Sequence, residues 1–150
     1  KILSTPVLVV QTPAKFRPSN ENIENAKRFF EYFLNTLDDQ GVKSWIGWEP
    51  RGKWLEDKKS LEAIFGEFDR LIHVVDPFFH KPIMIRRIAY FRLHGKPYLN
   101  YKYKYDRKEL ESLIKKIKSW RGIEEAYIML NNVYMDKDAE ELIKIVGEEL

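Results

Sequence analysis

Five short runs of apolar, β-branched and aromatic residues punctuate the chain, and each closes on polar or charged side chains. The first, Val7-Leu8-Val9-Val10, ends at Gln11. The second, Ser44-Trp45-Ile46-Gly47-Trp48, ends at Glu49-Pro50-Arg51, and the third, Leu71-Ile72-His73-Val74-Val75, at Asp76-Pro77. Ile88-Ala89-Tyr90-Phe91 runs into Arg92-Leu93-His94-Gly95, and Ala126-Tyr127-Ile128-Met129-Leu130 stops at Asn131-Asn132. Short runs of nearly continuous apolarity suit strands buried on both faces, as in a parallel sheet.

Helical patterns lie between and after these runs. Ile23, Ala26, Phe30, Phe33, Leu34 and Leu37 recur at helical spacing, with Ser19 placed to cap the first turn. Leu61, Ile64, Phe65 and Phe68 predict a shorter helix. Asp106 and Glu109 have the spacing of a capping box, opening a helix whose buried face is Leu110, Leu113, Ile114 and Ile117. Asp136 is the expected cap of a last helix that buries Ala139, Leu142, Ile143 and Val146. The Pro-containing stretch between Asp76 and Ile88 shows no helical period and is expected to be irregular.

Strand–helix alternation predicts an α/β fold of parallel βα units with right-handed crossovers. Two architectures satisfy it: an open doubly wound sheet, or part of a closed eight-stranded (β/α) barrel. No Gly-rich loop follows the first run, which argues against a Rossmann or P-loop nucleotide site. Closing a barrel takes eight strands and about 250 residues, so five strands cannot do it.

Composition narrows the classes. At 150 residues the chain is read as a single domain, with no linker or low-complexity segment to divide it. The absence of cysteine excludes disulfides, thiolate-held metals and a thiol nucleophile, and fits a reducing, cytoplasmic compartment. A net charge of +3 from 26 basic and 23 acidic residues is far from the basic stripe of a dedicated nucleic-acid binder. The high content of Lys and Glu points toward a thermophilic source. No apolar run approaches the roughly 18 residues of a membrane span, so no membrane partner is expected. The chain opens with Lys rather than Met and without a signal-peptide pattern, and the natural protein is expected to start further upstream.

The residues just after parallel strands converge on one rim, where ligands bind. That rim would gather Gln11, Glu49, Arg51, Asp76, Arg92, His94, Asn131 and Asn132. Glu49, Asp76 and His94 are the acid–base candidates, because carboxylates and imidazole move protons near neutral pH. Arg51 and Arg92 suit an anionic group, and Gln11, Asn131 and Asn132 suit hydroxyls. Trp48, Trp54 and Tyr98 lie near the same rim and offer rings for stacking on a sugar or base, although most aromatics in such a chain are core or rim packing. Each residue also has a plainer reading. Glu49 with Arg51, or Asp76 with Arg92, can simply be ion pairs; His94 before Gly95 can be a turn residue; Asn131-Asn132 can be a turn. His73, in mid-strand, reads as a core histidine. Glu49, Asp76 and His94 could in principle hold a metal, but no HxH or HExxH spacing supports one, and no cofactor is called for. The alternation Tyr101-Lys102-Tyr103-Lys104-Tyr105 could track single-stranded nucleic acid. Tyrosines packed inward with lysines solvated is the favoured reading.

Taken in order, these strand ends resemble the YecE-like family, TIM-barrel proteins carrying a domain of unknown function. Its Gln-x-Pro-x-x-Phe is matched by Gln11, Pro13 and Phe16, and its Glu-x-Arg-x-x-Trp by Glu49, Arg51 and Trp54. A strand ending in Asp is matched by Asp76, and Arg-x-His-Gly with a tyrosine-rich loop by Arg92, His94, Gly95, Tyr103 and Tyr105. The closing Asn-Asn and leucine-bearing helix are matched by Asn131, Asn132, Ala139 and Leu142. The resemblance covers nearly the whole chain. It implies the last five βα units of a barrel whose first three units have no counterpart here, and it adds Trp54 and Tyr103 to the binding residues. Unpaired sheet edges would then meet another chain or the missing N-terminal part. The expected function is an enzyme acting on a polar, anionic small molecule, phosphorylated or sugar-like; the competing one is a nucleic-acid binder using residues 101–105.

Overall fold

In the computed structural model, residues 5–148 are described. The order is β1 (Val7–Gln11), α1 (Asn20–Asp39), β2 (Trp45–Glu49), α2 (Lys58–Phe65), β3 (Leu71–His73), β4 (Ile88–Leu93), α3 (Arg107–Ser119), β5 (Glu125–Leu130) and α4 (Met135–Glu148). A 3₁₀ turn, Gly52–Glu56, precedes α2. All strand pairings are parallel, strands alternate with helices, and both sheets are open: β1-β2-β3 and β4-β5. The chain divides into two compact units. One comprises residues up to Val74 together with Pro82–Met84; the other comprises Val75–Lys81 and residues from Ile85 onward.

In the first unit, Gln11 pairs with Glu49 at the ends of β1 and β2, and Trp48 pairs with His73 across to β3. Because side chains alternate across a strand, Leu8, Val10, Ile46 and Trp48 face the helices. There they meet Ala26, Phe30, Leu34 and Leu37 of α1 and Leu61, Ile64 and Phe65 of α2. Fully burying each such aromatic or branched side chain contributes about 1.5–3 kcal/mol, so this apolar face, rather than helix propensity, fixes α1. Ser19 caps α1 by accepting the Asn22 N–H, as its position predicts. His73 is the core histidine the sequence indicates. Its ring lies 4.9 Å from Phe65, and its Nδ1 accepts the Ile83 N–H at 3.1 Å.

In the second unit, Ala89, Phe91 and Leu93 of β4 face Leu110, Leu113, Ile114 and Ile117 of α3. Trp120, which ends α3, packs its ring against Phe91. The Asp106–Glu109 capping box is formed in full. An isolated parallel bridge joins Val75 to Phe91. Residues 76–87 contain no helix, as expected.

Three expectations are corrected. Helix α4 begins at Met135, so Asp136 lies inside its first turn and does not cap it. Its buried face is Asp138, Leu142 and Ile145, at the i, i+4, i+7 period, while Ile143 is 72% exposed. Successive residues are rotated by about 100° on a helix, so Leu142 and Ile143 cannot both face the sheet. Burial on both faces holds for most of β2 and for β3, but β5 is only partly covered. Among the described residues β5 pairs with β4 alone, which leaves its other edge open.

Candidate functional site

The rim residues of the first unit form one connected group. Register brings Gln11 and Glu49 side by side on the sheet face opposite the helices. Arg51, two residues beyond β2, turns back over both. Its Nε and Nη2 donate to Glu49 Oε1 at 3.2 and 2.9 Å, and Nη2 also donates to Gln11 Oε1 at 3.1 Å. Glu49 is 4% exposed, and a cation beside so enclosed a carboxylate offsets part of the hydration it has lost. The ion-pair reading of Glu49 and Arg51 is therefore realised, and Gln11 completes it.

Trp54 sits apart from this group. The 3₁₀ turn carries its ring into the core, stacked 5.6 Å from Phe16 and edge-on 5.2 Å from Trp48. Its indole N–H donates to the Phe16 carbonyl at 2.5 Å. The ring has no exposed surface, so the stacking role expected of Trp54 is replaced by a packing one. Trp48 is likewise a core residue, with its indole N–H donating to Thr12 Oγ1 at 3.1 Å.

In the second unit, Asp76 and His94 lie together with almost no solvent contact, at 3% and 1% exposure. Asp76 Oδ1 accepts the Phe78 N–H at 3.0 Å and starts the turn after Pro77. Its Oδ2 accepts the His94 N–H at 2.8 Å and lies 3.7 Å from His94 Nδ1. The carboxylate thus ties the turn after β3 to the backbone of His94 and stands beside the imidazole without a hydrogen bond to it. Arg92 alternates with Phe91 and Leu93 along β4, which places it on the sheet face opposite α3. Asn131 continues the ladder, donating its N–H to the Leu93 carbonyl at 2.9 Å.

Loop 94–106 binds itself and α4 into the same region. Gly95 has φ +83, and a Cβ there would meet the Asn100 carbonyl oxygen at 2.0 Å, so only glycine fits. The Gly95 N–H donates to the Tyr105 hydroxyl oxygen at 2.7 Å. Burial holds the Tyr105 phenol neutral well above its usual range. Tyr103 donates to Glu109 Oε1 at 2.6 Å, and that hydrogen bond raises the phenol to about 12. Burial alone would raise Glu109, but hydrogen bonds from the Lys96 ammonium (2.8 Å) and Tyr103 outweigh it and leave the carboxyl below its usual range. In the run of residues 101–105, Tyr103 and Tyr105 face inward while Lys102 and Lys104 are solvated, as favoured from the sequence. Tyr101 remains exposed.

Asp138 is the residue that sequence reading missed. It is buried in the first turn of α4 and accepts from Asn132 Nδ2 at 2.7 Å and from the Tyr105 N–H at 3.4 Å. Asn132 Nδ2 also donates to the Tyr103 carbonyl at 2.7 Å. The signal was available: Asp138 stands at the position of the buried i, i+4, i+7 period that Leu142 and Ile145 continue, where an acid needs a reason. Among the described residues no three His, Asp or Glu side chains are grouped to hold a metal ion, and no helix is long and apolar enough to cross a membrane.

A family model described as "Protein of unknown function DUF72" matches residues 4–150. A solved structure of a DUF72 family protein from Thermotoga maritima is 24% identical, with a TM-score of 0.57 over 95% of this chain and 56% of that one. Another, from Enterococcus faecalis, is 17% identical, with a TM-score of 0.57 over 94% of this chain and 58% of that one. The chain therefore spans a little over half the length of these relatives, and at such identities the likeness is one of fold. No curated protein matches the chain.

Proposed function

This chain belongs to the DUF72 family, and from that premise we propose that its strand-end residues serve an acid–base enzyme acting on a polar, anionic small molecule. The observation that carries this reading is the enclosed Asp76–His94 pair at the end of parallel strands. A carboxylate bonded to the backbone N–H of a histidine, with the same oxygen 3.7 Å from the ring Nδ1, stands where the orienting acid of a general base would stand. Asp76 is the orienting group and His94 the proton carrier. Glu49 is the second carboxylate, with Arg51 and Gln11 already gathered on it. Arg92 supplies a further cation for an anionic group, and Asn131 and Asn132 the amides for hydroxyls. Tyr103 lines the loop beside them.

The same reading takes the five βα units as the last five of an eight-unit TIM barrel, a single domain. Parallel pairing throughout and the helix-free face carrying Gln11 and Glu49 favour it, since the strand-end residues of a barrel converge on its mouth. The substrate is taken as a phosphoester or glycoside because two carboxylates, a histidine and arginines are the groups such hydrolyses use. Phosphorylated and sugar substrates would be screened with the unaltered chain and with Glu49→Gln and His94→Gln. The expected loss is on the order of 100-fold or more for either variant. Turnover that is absent throughout, or equal in all three proteins, counts against the enzyme. The nucleic-acid reading keeps only Tyr101 and the solvated Lys102 and Lys104, and an oligonucleotide affinity falling steeply with salt would revive it.

A further inference from the structure

Tyr98 occupies a singular place in the second unit. Its ring centroid is 5.7 Å from that of His94, 6.5 Å from that of His80 and 5.2 Å from that of Phe79, edge-on to all three. His94 is 1% exposed, whereas Tyr98 is 37% exposed. Phe79 is exposed too, and His80 partly so. One side of the Tyr98 ring thus meets solvent while another meets the imidazole.

The loop that carries Tyr98 is closed at its base by hydrogen bonds, and at Tyr98 it meets three rings. Gly95 and Tyr105 close it, Asn100 Nδ2 donates to the Lys96 carbonyl at 2.9 Å, and the Asn100 N–H donates to the Pro97 carbonyl at 3.1 Å. Leu99, next to Tyr98, has φ +65, a conformation that costs a branched residue about 1 kcal/mol or more and is kept only by its surroundings. Replacing the Tyr98 ring therefore leaves the hydrogen bonds at the base of the loop in place.

We propose that Tyr98 is the access residue of the Asp76–His94 pair: its ring is the wall between His94 and solvent, and a substrate reaches the imidazole by displacing it. A ligand that replaces a phenol ring against Phe79 and His80 is itself ring-shaped, with an apolar face and polar groups directed at His94. The inference deepens the enzyme reading and rests on the role given there to His94, but its test needs no turnover.

The chain has three histidines, His73, His80 and His94, and two of them serve as internal standards. Diethyl pyrocarbonate would be applied to the unaltered chain, Tyr98→Ala and Tyr98→Phe, and each histidine read by peptide mass spectrometry. In the unaltered chain His80 reacts, while His94 and the core residue His73 are protected. Tyr98→Ala raises the His94 rate about tenfold or more, as expected when a local opening step is removed. Tyr98→Phe keeps His94 protected, because the ring and not its hydroxyl is the cover. Persistent protection of His94 in Tyr98→Ala overturns the proposal, as does a His94 that already reacts like His80 in the unaltered chain. A parallel rise at His73 also counts against it, since the fold and not the wall would have opened.

Discussion

The two amide hydrogens of Asn132 are both committed, one to the Asp138 carboxylate at 2.7 Å and one to the Tyr103 carbonyl at 2.7 Å, so the orientation of this side chain is fixed. Asp138 also accepts the Tyr105 N–H and so ties the end of β5, the tyrosine loop and α4 together. Replacing it by alanine leaves two buried donors without an acceptor, and each such loss costs about 1–3 kcal/mol. Asp138→Ala is expected to lower the urea midpoint by the equivalent of about 2–4 kcal/mol. Asp138→Asn, which keeps one carbonyl oxygen, should lose less. A midpoint unchanged in Asp138→Ala would mean that the network carries no weight.

At the Glu49–Arg51 pair the two partners are not equivalent. Glu49 is enclosed, while the Arg51 side chain keeps about a fifth of its surface, 22%. Removing the arginine withdraws a cation from a buried carboxylate, at a cost of about 3 kcal/mol or more, whereas Glu49→Gln removes the buried charge itself. Arg51→Ala is thus expected to destabilise more than Glu49→Gln in denaturant unfolding, and the reverse order would contradict the burial argument.

Two glycines with positive φ separate backbone strain from collision. Gly41, at φ +66, has open space where a side chain would begin, with no atom within 4 Å of that point, so Gly41→Ala should cost about 1 kcal/mol. Gly95→Ala drives a methyl group into the Asn100 carbonyl oxygen and should break the loop base, with a loss well beyond that of Gly41→Ala. Hydrogen exchange at Asn100 and Tyr103, whose N–H groups hold that base, reports the difference; equal protection in the two variants would refute it.

Glu109 links acid and alkaline stability. Its folded carboxyl titrates below the usual 4.5, so the stability it contributes is present above that pH and is lost as pH falls through the depressed folded value. Tyr103 titrates near 12 in place of 10.0, so its contribution is present below 10.0 and is lost as pH rises from there to about 12. Glu109→Gln should flatten both limbs of the stability–pH curve, and Tyr103→Phe chiefly the alkaline one. Curves parallel to that of the unaltered chain would rule the linkage out.

Neighbouring isoleucines of α4 should respond oppositely. Ile145 is buried among Leu142 and the α3 face, and Ile145→Ala is expected to cost about 2–5 kcal/mol. Ile143 is exposed, and Ile143→Lys should change stability by no more than about 0.5 kcal/mol. Thermal melts of the two variants check the assignment of the helix face.

The order of strands and helices was legible because burial imposes a period that composition alone does not hide. Ser19 and the Asp106–Glu109 box announced their helices through local hydrogen bonding, which depends on few residues. The errors arose where several residues satisfy a pattern equally. Leu142 and Ile143 are both apolar, and only three-dimensional packing chooses between them. Asp136 and Asp138 are both acids near a helix start, and the one that matters is distinguished by Asn132, six residues earlier. Trp54 could be placed near a strand end, but the 3₁₀ turn that rotates its ring into the core leaves no periodic trace. The rim set was legible as residue types; its division into an Arg51-centred group and an Asp76–His94 group was not, since it depends on pairings between residues up to 40 positions apart.

The placement of tryptophan gives each unit its own optical label. Three of the four indoles, at positions 45, 48 and 54, belong to the first unit, and the fourth, Trp120, belongs to the second. Trp48 and Trp54 are wholly shielded and edge-on to one another, so their emission shifts to longer wavelength when that core opens. With Trp120→Phe the tryptophan emission, excited selectively over tyrosine, comes from the first unit alone, and the difference from the unaltered chain is the signal of the second. Two melting curves can therefore be drawn from one instrument without attaching a dye, and their coincidence or separation measures how far the halves of this chain unfold as one.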